Sequence, residues 1–361
     1  MASCPHMACS CQQHTLVLDS ALVMLSPVVY SSASLPNALF FPPIPPLPPA
    51  RPNTAPHCNT LANHTSSPHV VTALNYDAWA HFLTDYPDKE FISSLLHIIK
   101  FGTNIGFQGV QAARPSKNLK LALQSPSFIE SSIDKLLACD HANGPFNSPP
   151  LDQFCYSPLH VVFHKQLTSK PCLINHLLWP PGSSVNNGIS DAEASISYDA
   201  FECAIRELIS AGSGSLMAKL DLKDAFRHIP IHPADWHHMG SHWGEKFYYS
   251  IVLAFGLQAT PYIFNLFSEA LHWIIQHYIP AHICHYLDNF FLLFAPSSKL
   301  HTCSAAVEWV MGLGHDLGLV FQDSKTVWPT TQIESLGPEL DSVAMEAHLP
   351  PDKLVFLKLL L

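Results

Sequence analysis

Charged residues are scarce in this chain, and arginine is the scarcest of them. Asp, Glu, Lys and Arg make up only 13% of the 361 residues, about half the share of an average globular protein. The formal net charge is -10, and because phosphate contacts need Lys and Arg, this balance argues against a general nucleic-acid binder. Net charge is only a global sum, so it does not exclude a basic channel inside an acidic protein.

Further absences narrow the class of protein. No stretch is apolar enough for a transmembrane helix. The mildly hydrophobic residues 15–30 hold Asp19 and follow no basic segment, so no signal peptide is expected. The ten cysteines are scattered, unlike the regular disulfide framework of a short secreted protein. We therefore expect reduced thiols and an intracellular protein with no membrane partner.

Residues 1–70 differ in composition from the rest and are expected to be a disordered leader with few contacts to the remainder. A proline tract, FFPPIPPLPPARPNTAP, fills residues 40–56, and such a tract favours polyproline II and cannot build a packed core. An alternative is that the proline tract is a ligand for an aromatic groove. The first residues of the chain include cysteines and histidines, which can bind zinc, but their spacing fits no standard zinc site. These residues are Cys4, His6, Cys9, Cys11 and His14.

After the leader, helical and strand patterns alternate without a regular βαβ rhythm, which predicts an α+β fold. Apolar residues at helical spacing over residues 76–101 predict a helical stripe, with Asp77 placed as an N-cap. Further patterns predict helices over residues 128–139 and 201–210, a loop over 144–150, and strands over 157–163 and 218–222.

The sequence LDLKDAF, residues 220–226, places Asp221 at the tip of the last predicted strand. The turn that follows could direct backbone N–H groups toward a phosphate. Taken alone, the segment fits a strand-to-helix turn in which Asp221 is a cap, and that is the simpler interpretation.

The sequence YLDN, residues 286–289, lies between the apolar runs HICHY and FFLLF, as the tip of a β-hairpin would. A carboxylate at a tight apolar turn needs a partner or a metal. Asp221 and Asp288 could together hold Mg²⁺, which prefers oxygen ligands, and paired metals suit in-line displacement at phosphorus. Alone, this segment could be a simple hairpin turn.

The order of the motifs decides between these interpretations. Between them lies VLAFGLQATPYIFN, residues 252–265, with a glycine followed by a proline-initiated amphipathic helix. The three segments resemble motifs A, B and C of reverse transcriptases, most of all retroelement polymerases of the kind abundant in fungal genomes. The resemblance runs from residue 76 to the C-terminus. It implies a right-hand fold, with fingers followed by a palm of antiparallel strands backed by helices.

The resemblance also implies roles for individual residues. Asp221, Asp288 and the Leu222 backbone match the ligands of two Mg²⁺ ions. Phe226 matches the residue that blocks a ribose 2′-hydroxyl, so the implied substrates are deoxynucleoside triphosphates added to an RNA or DNA template-primer. The catalytic set is Asp221, Asp288, Asn289 and Lys325, and the nucleotide-binding set is Lys165, Leu222, Lys223, Asp224, Ala225, Phe226, Phe255 and Gly256.

Two of the later matches concern the end of the palm. Lys325 matches the motif D lysine proposed to protonate the departing pyrophosphate, although a solvated lysine is an alternative. Leu336 and Gly337 resemble the motif E turn that grips the primer.

The departures from the family pattern predict an impaired copy. Asn289 stands where the family has a second aspartate, and Cys172 stands where it has an arginine on the triphosphate. Pro171 removes a strand N–H, which leaves Lys165 as the finger cation. Only four arginines remain, and Cys, His and Gln codons arise from arginine codons by single transitions. We therefore hypothesise a copy decaying at CG sites, although the lineage could simply favour histidine.

These patterns predict five segments. They are a leader (1–70), a helical N-terminal extension (71–150), fingers (151–217), a palm with motifs A to E (218–345) and the truncated start of a thumb or connection (346–361). The implied function is RNA-directed DNA polymerase, weak or inactive in this copy. Alternatives are a non-catalytic domain that binds nucleic acid or a partner, and a translated fragment without a selected function. The oligomeric state stays open.

Overall fold

The structure is a computed structural model, and it describes residues 70–109, 116–163, 171–190, 200–335 and 337–349. Nearly all of the predicted leader lies outside these ranges, as do Lys165, Leu336 and residues 350–361, so the expectations for them are untested. All described residues belong to one unit, Phe41–Leu361. No helix within the described ranges is both long and apolar enough to cross a bilayer.

Helices and strands are interspersed along the described chain. The α-helices are α1 (Tyr76–Phe82), α2 (Lys89–Phe101), α3 (Lys120–Leu123), α4 (Pro126–Ala138), α5 (Ala200–Ala211), α6 (Thr260–Tyr278) and α7 (Leu300–Leu317). The strands are β1 (Ala142–Phe146), β2 (Leu159–Phe163), β3 (Pro171–Asn175), β4 (Leu216–Asp221), β5 (Gly240–Trp243), β6 (Lys246–Ser250), β7 (His282–Tyr286), β8 (Asn289–Phe294), β9 (Val327–Thr330), β10 (Gln332–Glu334), β11 (Glu339–Asp341) and β12 (Glu346–His348).

The strands form antiparallel sheets. The central sheet has the order β7-β8-β4-β9, and smaller sheets have the orders β1-β6-β5, β2-β3 and β10-β11-β12. Every pairing between these named strands is antiparallel. The predicted α+β class and the antiparallel palm sheet backed by helices are confirmed.

Alternation along β8 explains why the central sheet is covered on both faces. Successive side chains of a strand point to opposite sides. Phe290, Leu292 and Phe294 lie in the core that contains the apolar stripes of α6 and α7, whereas Phe291 and Leu293 pack with α5. A strand that is apolar on both faces is therefore fixed at the centre of the molecule.

Helix α6 follows the motif B glycine as predicted. Pro261 occupies its first turn, where the missing N–H costs nothing because that group would have no partner within the helix. Its buried residues recur at helical spacing and face the central sheet, among them Ile263, Phe264, Phe267, Leu271, Ile274 and Ile275.

The prediction of a continuous helix over residues 76–101 was wrong. The segment forms α1 and α2, and Pro87 lies between them. Proline cannot donate the helical hydrogen bond, and Asp88 then caps α2 by accepting from Phe91 N at 2.9 Å. The predicted N-cap was also wrong, because Asn75 caps α1 by accepting from Ala78 N at 3.3 Å and Asp77 lies in the first turn.

The prediction of a loop over residues 144–150 was wrong at its start. Residues 142–146 form β1, which pairs with β6 through Ala142 and Ser250 and through Phe146 and Phe247. The register shifts between residues 143 and 146, at the position of Gly144 and Pro145. Such a bulge admits a proline into a strand, so residues that suggest a loop here occupy an interrupted strand. The other predicted elements begin or end within two residues of those observed.

Candidate active site

The register of the central sheet brings the two predicted carboxylates together. Asp221, the last residue of β4, pairs with Asn289, the first residue of β8. The N–H of Leu222 donates to the backbone oxygen of Asp288 at 2.8 Å. Asp221 and Asp288 thus lie at the same end of neighbouring strands, although 67 positions separate them in the sequence. Their catalytic and metal-binding roles stay predictions.

The β7–β8 hairpin holds Asp288 in a strained two-residue turn. Leu287 has φ 52°, a left-handed conformation that is uncommon for a bulky residue. Ser268 on α6 donates to the Leu287 oxygen at 2.8 Å, which fixes this turn against the helix. Such conformations cost about 1–3 kcal/mol and collect at functional sites.

The charges of Asp221 and Asp288 interact, and Lys325 is the cation beside them. Asp221 is only 6% exposed and accepts from Lys325 Nζ at 2.8 Å. Burial and, secondarily, the Asp221 carboxylate raise the pKa of Asp288 to about 6. Lys325 and the Asn289 amide, which donates to Asp288 Oδ1 at 3.2 Å, act in the opposite direction.

The raised pKa of Asp288 predicts a pH-dependent stability. The folded state holds this proton more tightly than the unfolded chain does. The stabilisation is therefore fully present below pH 3.8 and is lost as the pH rises through about 6. Asp288→Asn should remove this dependence and raise the free energy of unfolding at pH 7 by about 1–3 kcal/mol. Urea unfolding between pH 4 and pH 7 measures the difference.

The matched control for this measurement is Asp152→Asn, which changes an exposed aspartate. Its unfolding curve should shift with pH as that of the unchanged chain does. If Asp288→Asn also follows the unchanged chain at every pH, the carboxyl group does not have the raised pKa.

The motif A turn offers fewer free amides than the sequence predicted. Of the four amides at residues 222–225, that of Leu222 donates to Asp288 and that of Lys223 to Val320, each at 2.8 Å. Within the described ranges, no acceptor is bonded to the N–H groups of Asp224 and Ala225. Asp224 has φ 49° and begins the 3-10 turn Ala225–His228. An anion could therefore meet two of the four amides without disrupting existing bonds.

Three cations surround Asp224. Burial raises the pKa of Asp224, but the charges of Lys135, Arg227 and Lys223 together hold it below its usual value. Lys135 Nζ lies 3.3 Å from Asp224 Oδ2, and the lysine side chain is 64% exposed. Arg227 also lies near Cys172 on β3. The turn therefore carries a net positive charge beside the fingers, supplied partly by Lys135, which no local motif marked.

Phe226, Phe255 and Gly256 form an apolar wall beside the turn. The Phe226 ring lies 5.1 Å from that of Phe255 and 5.5 Å from that of Phe264, between centroids. Phe255 is 38% exposed. Gly256 has φ +106°, and a Cβ there would overlap the Asn175 carbonyl oxygen. This glycine is needed both for its backbone conformation and for the close approach of β3.

Asn186 anchors the motif B segment, a role that sequence reasoning missed. Its Nδ2 donates to the Gly256 oxygen at 2.8 Å, and its Oδ1 accepts from Gln258 N at 3.0 Å. The side chain is 5% exposed, so both bonds are shielded from water. Its sequence context, GSSVN at residues 182–186, did not mark this role.

The finger and motif E positions are only partly described. Cys172 is half-buried on β3 opposite Val162, and Pro171 begins the strand opposite Phe163, a position that tolerates a missing N–H. Gly337 has φ +118° in a turn closed by the Ser335 N–H donating to the Pro338 oxygen at 2.9 Å. Among the described residues no group of three metal-ligating side chains occurs, so the site offers a carboxylate pair.

Comparison with known proteins identifies the family that this site resembles. Residues 177–340 match the family model described as reverse transcriptase (RNA-dependent DNA polymerase). Protein P of duck hepatitis B virus (strain China) is 28% identical over 143 residues, which cover 39% of this chain and 18% of that protein. Protein P of heron hepatitis B virus is 27% identical over 143 residues, with the same coverage. The matched residues thus span less than a fifth of these curated relatives.

Solved structures of low identity share the fold. A foamy viral protease-reverse transcriptase in complex with double-stranded DNA has a TM-score of 0.56 and 14% identity, and the match covers 78% of this chain and 48% of that chain. The foamy viral enzyme with an RNA/DNA hybrid has a TM-score of 0.51 and 14% identity, covering 78% and 37%. The chain therefore has the polymerase fold of reverse transcriptases, and residues 177–340 match the reverse transcriptase family.

Proposed function

We propose that this chain is an RNA-directed DNA polymerase by descent, which adds deoxynucleotides to a primer, and that this copy has weak or no activity. The observation that carries the proposal is the juxtaposition of Asp221 and Asp288 at the end of the central sheet. The family match over residues 177–340 includes both carboxylates. The foamy viral complexes with DNA and with an RNA/DNA hybrid support a template-primer as the partner.

The carboxylate pair suits a divalent cation, and Mg²⁺ is the one proposed. The nearby ammonium of Lys325 leaves one negative charge uncompensated when both carboxyl groups are ionised. No described donor is bonded to the Leu222 carbonyl oxygen. Asp221, Asp288 and this carbonyl would supply the oxygen ligands that Mg²⁺ prefers. The bound metal would neutralise the charge that develops in phosphoryl transfer.

Mg²⁺ should stabilise the folded chain through this pair. At ten times the dissociation constant, binding should raise the melting temperature by about 3 °C. Asp288→Asn should abolish the shift because it removes one charged ligand. Thermal unfolding in MgCl₂, against NaCl of equal ionic strength, measures the effect. A shift that persists in Asp288→Asn would place the cation elsewhere, and Asp152→Asn is the matched control.

The residues around the motif A turn would bind the triphosphate and the sugar. The free amides of Asp224 and Ala225 and the charges of Lys135 and Arg227 are grouped at one turn. An anion there would gain hydrogen bonds and cationic neighbours at once. Phe226, which packs against Phe255, would contact the sugar and favour a deoxynucleotide as substrate. Lys165 and Lys325 keep their predicted roles within this proposal.

Arg227 should therefore affect nucleotide affinity. Arg227→Ala should raise the KM for a deoxynucleoside triphosphate by about 10- to 100-fold, because a charged hydrogen bond contributes about 1.5–3 kcal/mol. The kinetics are best measured with Asn289→Asp present, since that change should make the rate measurable. Arg206→Ala is the matched control, because Arg206 is an exposed arginine on α5. An unchanged KM in Arg227→Ala would exclude this contact.

The impairment and the origin in a retroelement of the fungal kind are part of the same proposal. Asn289 is an amide beside the predicted metal site, and Cys172 cannot make the bidentate contact that arginine makes. These departures also favour the second candidate, a non-catalytic domain that binds nucleic acid. A primer-extension assay on the purified chain, with Mg²⁺, deoxynucleotides and a primed RNA template, tests the proposal. Extension that rises with Asn289→Asp supports the polymerase, and template binding without extension in either form supports the second candidate.

A further inference from the structure

Two cysteines outside the candidate active site are in contact where helix α5 packs against strand β7 of the central sheet. The sulfurs of Cys203 on α5 and Cys284 on β7 are 2.8 Å apart, although 81 positions separate them in the sequence. Both are free thiols in the structure. A disulfide bond is about 2 Å long, so a small movement of one side chain would bring the two sulfurs to bonding distance.

The two thiols differ in their exposure. Cys284 is 3% exposed and lies in an apolar cluster with Met217, Phe291 and Leu293. Cys203 is only partly buried at the edge of the same cluster. Burial, followed by the hydrogen bond with Cys203, raises the pKa of the Cys284 thiol. A reagent in solution would therefore reach Cys203 first, and Cys284 would react as the second thiol.

We propose that Cys203 and Cys284 are a site of oxidative modification that forms an intramolecular disulfide with a low-molecular-weight disulfide such as oxidised glutathione. The Cys203 thiolate attacks one glutathione sulfur, which breaks that S–S bond, forms a mixed disulfide and releases one glutathione thiolate, which takes up a proton from solvent. The Cys284 thiol then loses its proton to solvent and attacks the Cys203 sulfur, which releases the second glutathione. Two protein thiols are oxidised and one glutathione disulfide is reduced to two thiols.

The cross-link would join α5 to the strand that leads into the Asp288 hairpin. Strand β7 ends at Tyr286, two residues before Asp288. Closing a long loop constrains the unfolded chain, so the melting temperature should rise by roughly 5 °C or more in the oxidised protein.

The test uses the full chain incubated with oxidised glutathione at pH 8, blocked with an alkylating reagent and digested for peptide mass mapping. The expected product is a cross-linked peptide pair that contains Cys203 and Cys284 and that disappears on reduction. The exposed Cys139 should instead carry glutathione, which shows that the reagent is active. The Cys284→Ser variant should keep glutathione on Cys203, because the second thiol is missing. The control is Cys303→Ser, which changes a buried cysteine on α7 and should still form the cross-link.

The proposal is overturned if Cys203 of the unchanged chain carries glutathione, as Cys139 does, and no cross-linked pair forms. It is also overturned if the cross-link joins Cys203 to another cysteine. Because the mapping is done on the unchanged chain, a folding defect in either serine variant does not affect the result.

Discussion

Replacing Asn289 by aspartate should raise the rate of primer extension by roughly 10²-fold or more, which is the usual effect of one charge-stabilising group in a catalytic centre. In the structure, the Asn289 amide donates to Asp288 Oδ1 at 3.2 Å. An aspartate at this position would end that donation and add a negative charge beside the pair formed by Asp221 and Asp288. That charge favours divalent cations, so the gain should be larger at low magnesium concentration.

Cys172→Arg should add a smaller gain, and the structure explains why. The new guanidinium would restore a cation to β3, but Arg227 already lies near Cys172. Repulsion between the two cations should offset part of the benefit. The free energies should roughly add only if the two sites are independent, so the double variant should exceed either single variant while falling short of their product.

The result that would contradict this account of the impairment is robust extension by the unchanged chain, at a rate that Asn289→Asp does not increase. An amide would then be tolerated at this position. Asn289→Gln is the matched control, since it lengthens the side chain without adding charge and should not increase the rate of primer extension.

Replacing Gly256 by alanine should destabilise the chain by about 3 kcal/mol or more. An L-residue in the left-handed region costs about 1–2 kcal/mol by itself. The new Cβ would also overlap the Asn175 carbonyl oxygen, so β3 and the motif B segment could not approach as they do. Equilibrium unfolding in urea measures the loss, which should appear as a lower midpoint with an unchanged slope.

Gly182→Ala is the matched control for the glycine prediction. Gly182 has φ +78°, but nothing lies within 4 Å of a Cβ built there. It should therefore show only the backbone cost, about 1–2 kcal/mol. Equal losses in the two variants would mean that the close contact between Gly256 and Asn175 is not present in solution.

The parts of the fold that the sequence predicted are those set by local patterns. Asp221 ends a largely buried strand, and the apolar runs on either side of Asp288 form the two strands of a hairpin. Pro261 marks a helix start because it fits the first turn and no later one. The order of these three features along the chain resembles that of reverse-transcriptase motifs, and this resemblance predicted the carboxylate pair.

What the sequence did not predict depends on contacts between distant segments. Lys135 is hydrogen-bonded to Asp224 although 89 positions separate them in the sequence, and Asn186 is hydrogen-bonded to Gly256 across a separation of 70 positions. No periodicity or spacing marks such pairs, because each partner looks like an ordinary polar residue on its own element. The bulged strand at Gly144 and Pro145 was missed for a related reason, since β6 supplies the pairing that local propensity opposes.

We propose the pair formed by Asp221 and Asp288 as the reaction centre of a polymerase. The most direct measurement compares primer extension on an RNA template, with Mg²⁺ and deoxynucleotides, by the Asn289→Asp chain and by the same chain carrying Asp221→Asn. We expect extension by the first, and a loss of roughly 10²-fold or more in the second, with both proteins folded by circular dichroism. Extension that is unaffected by Asp221→Asn, or no extension by the folded Asn289→Asp chain, would contradict the claim.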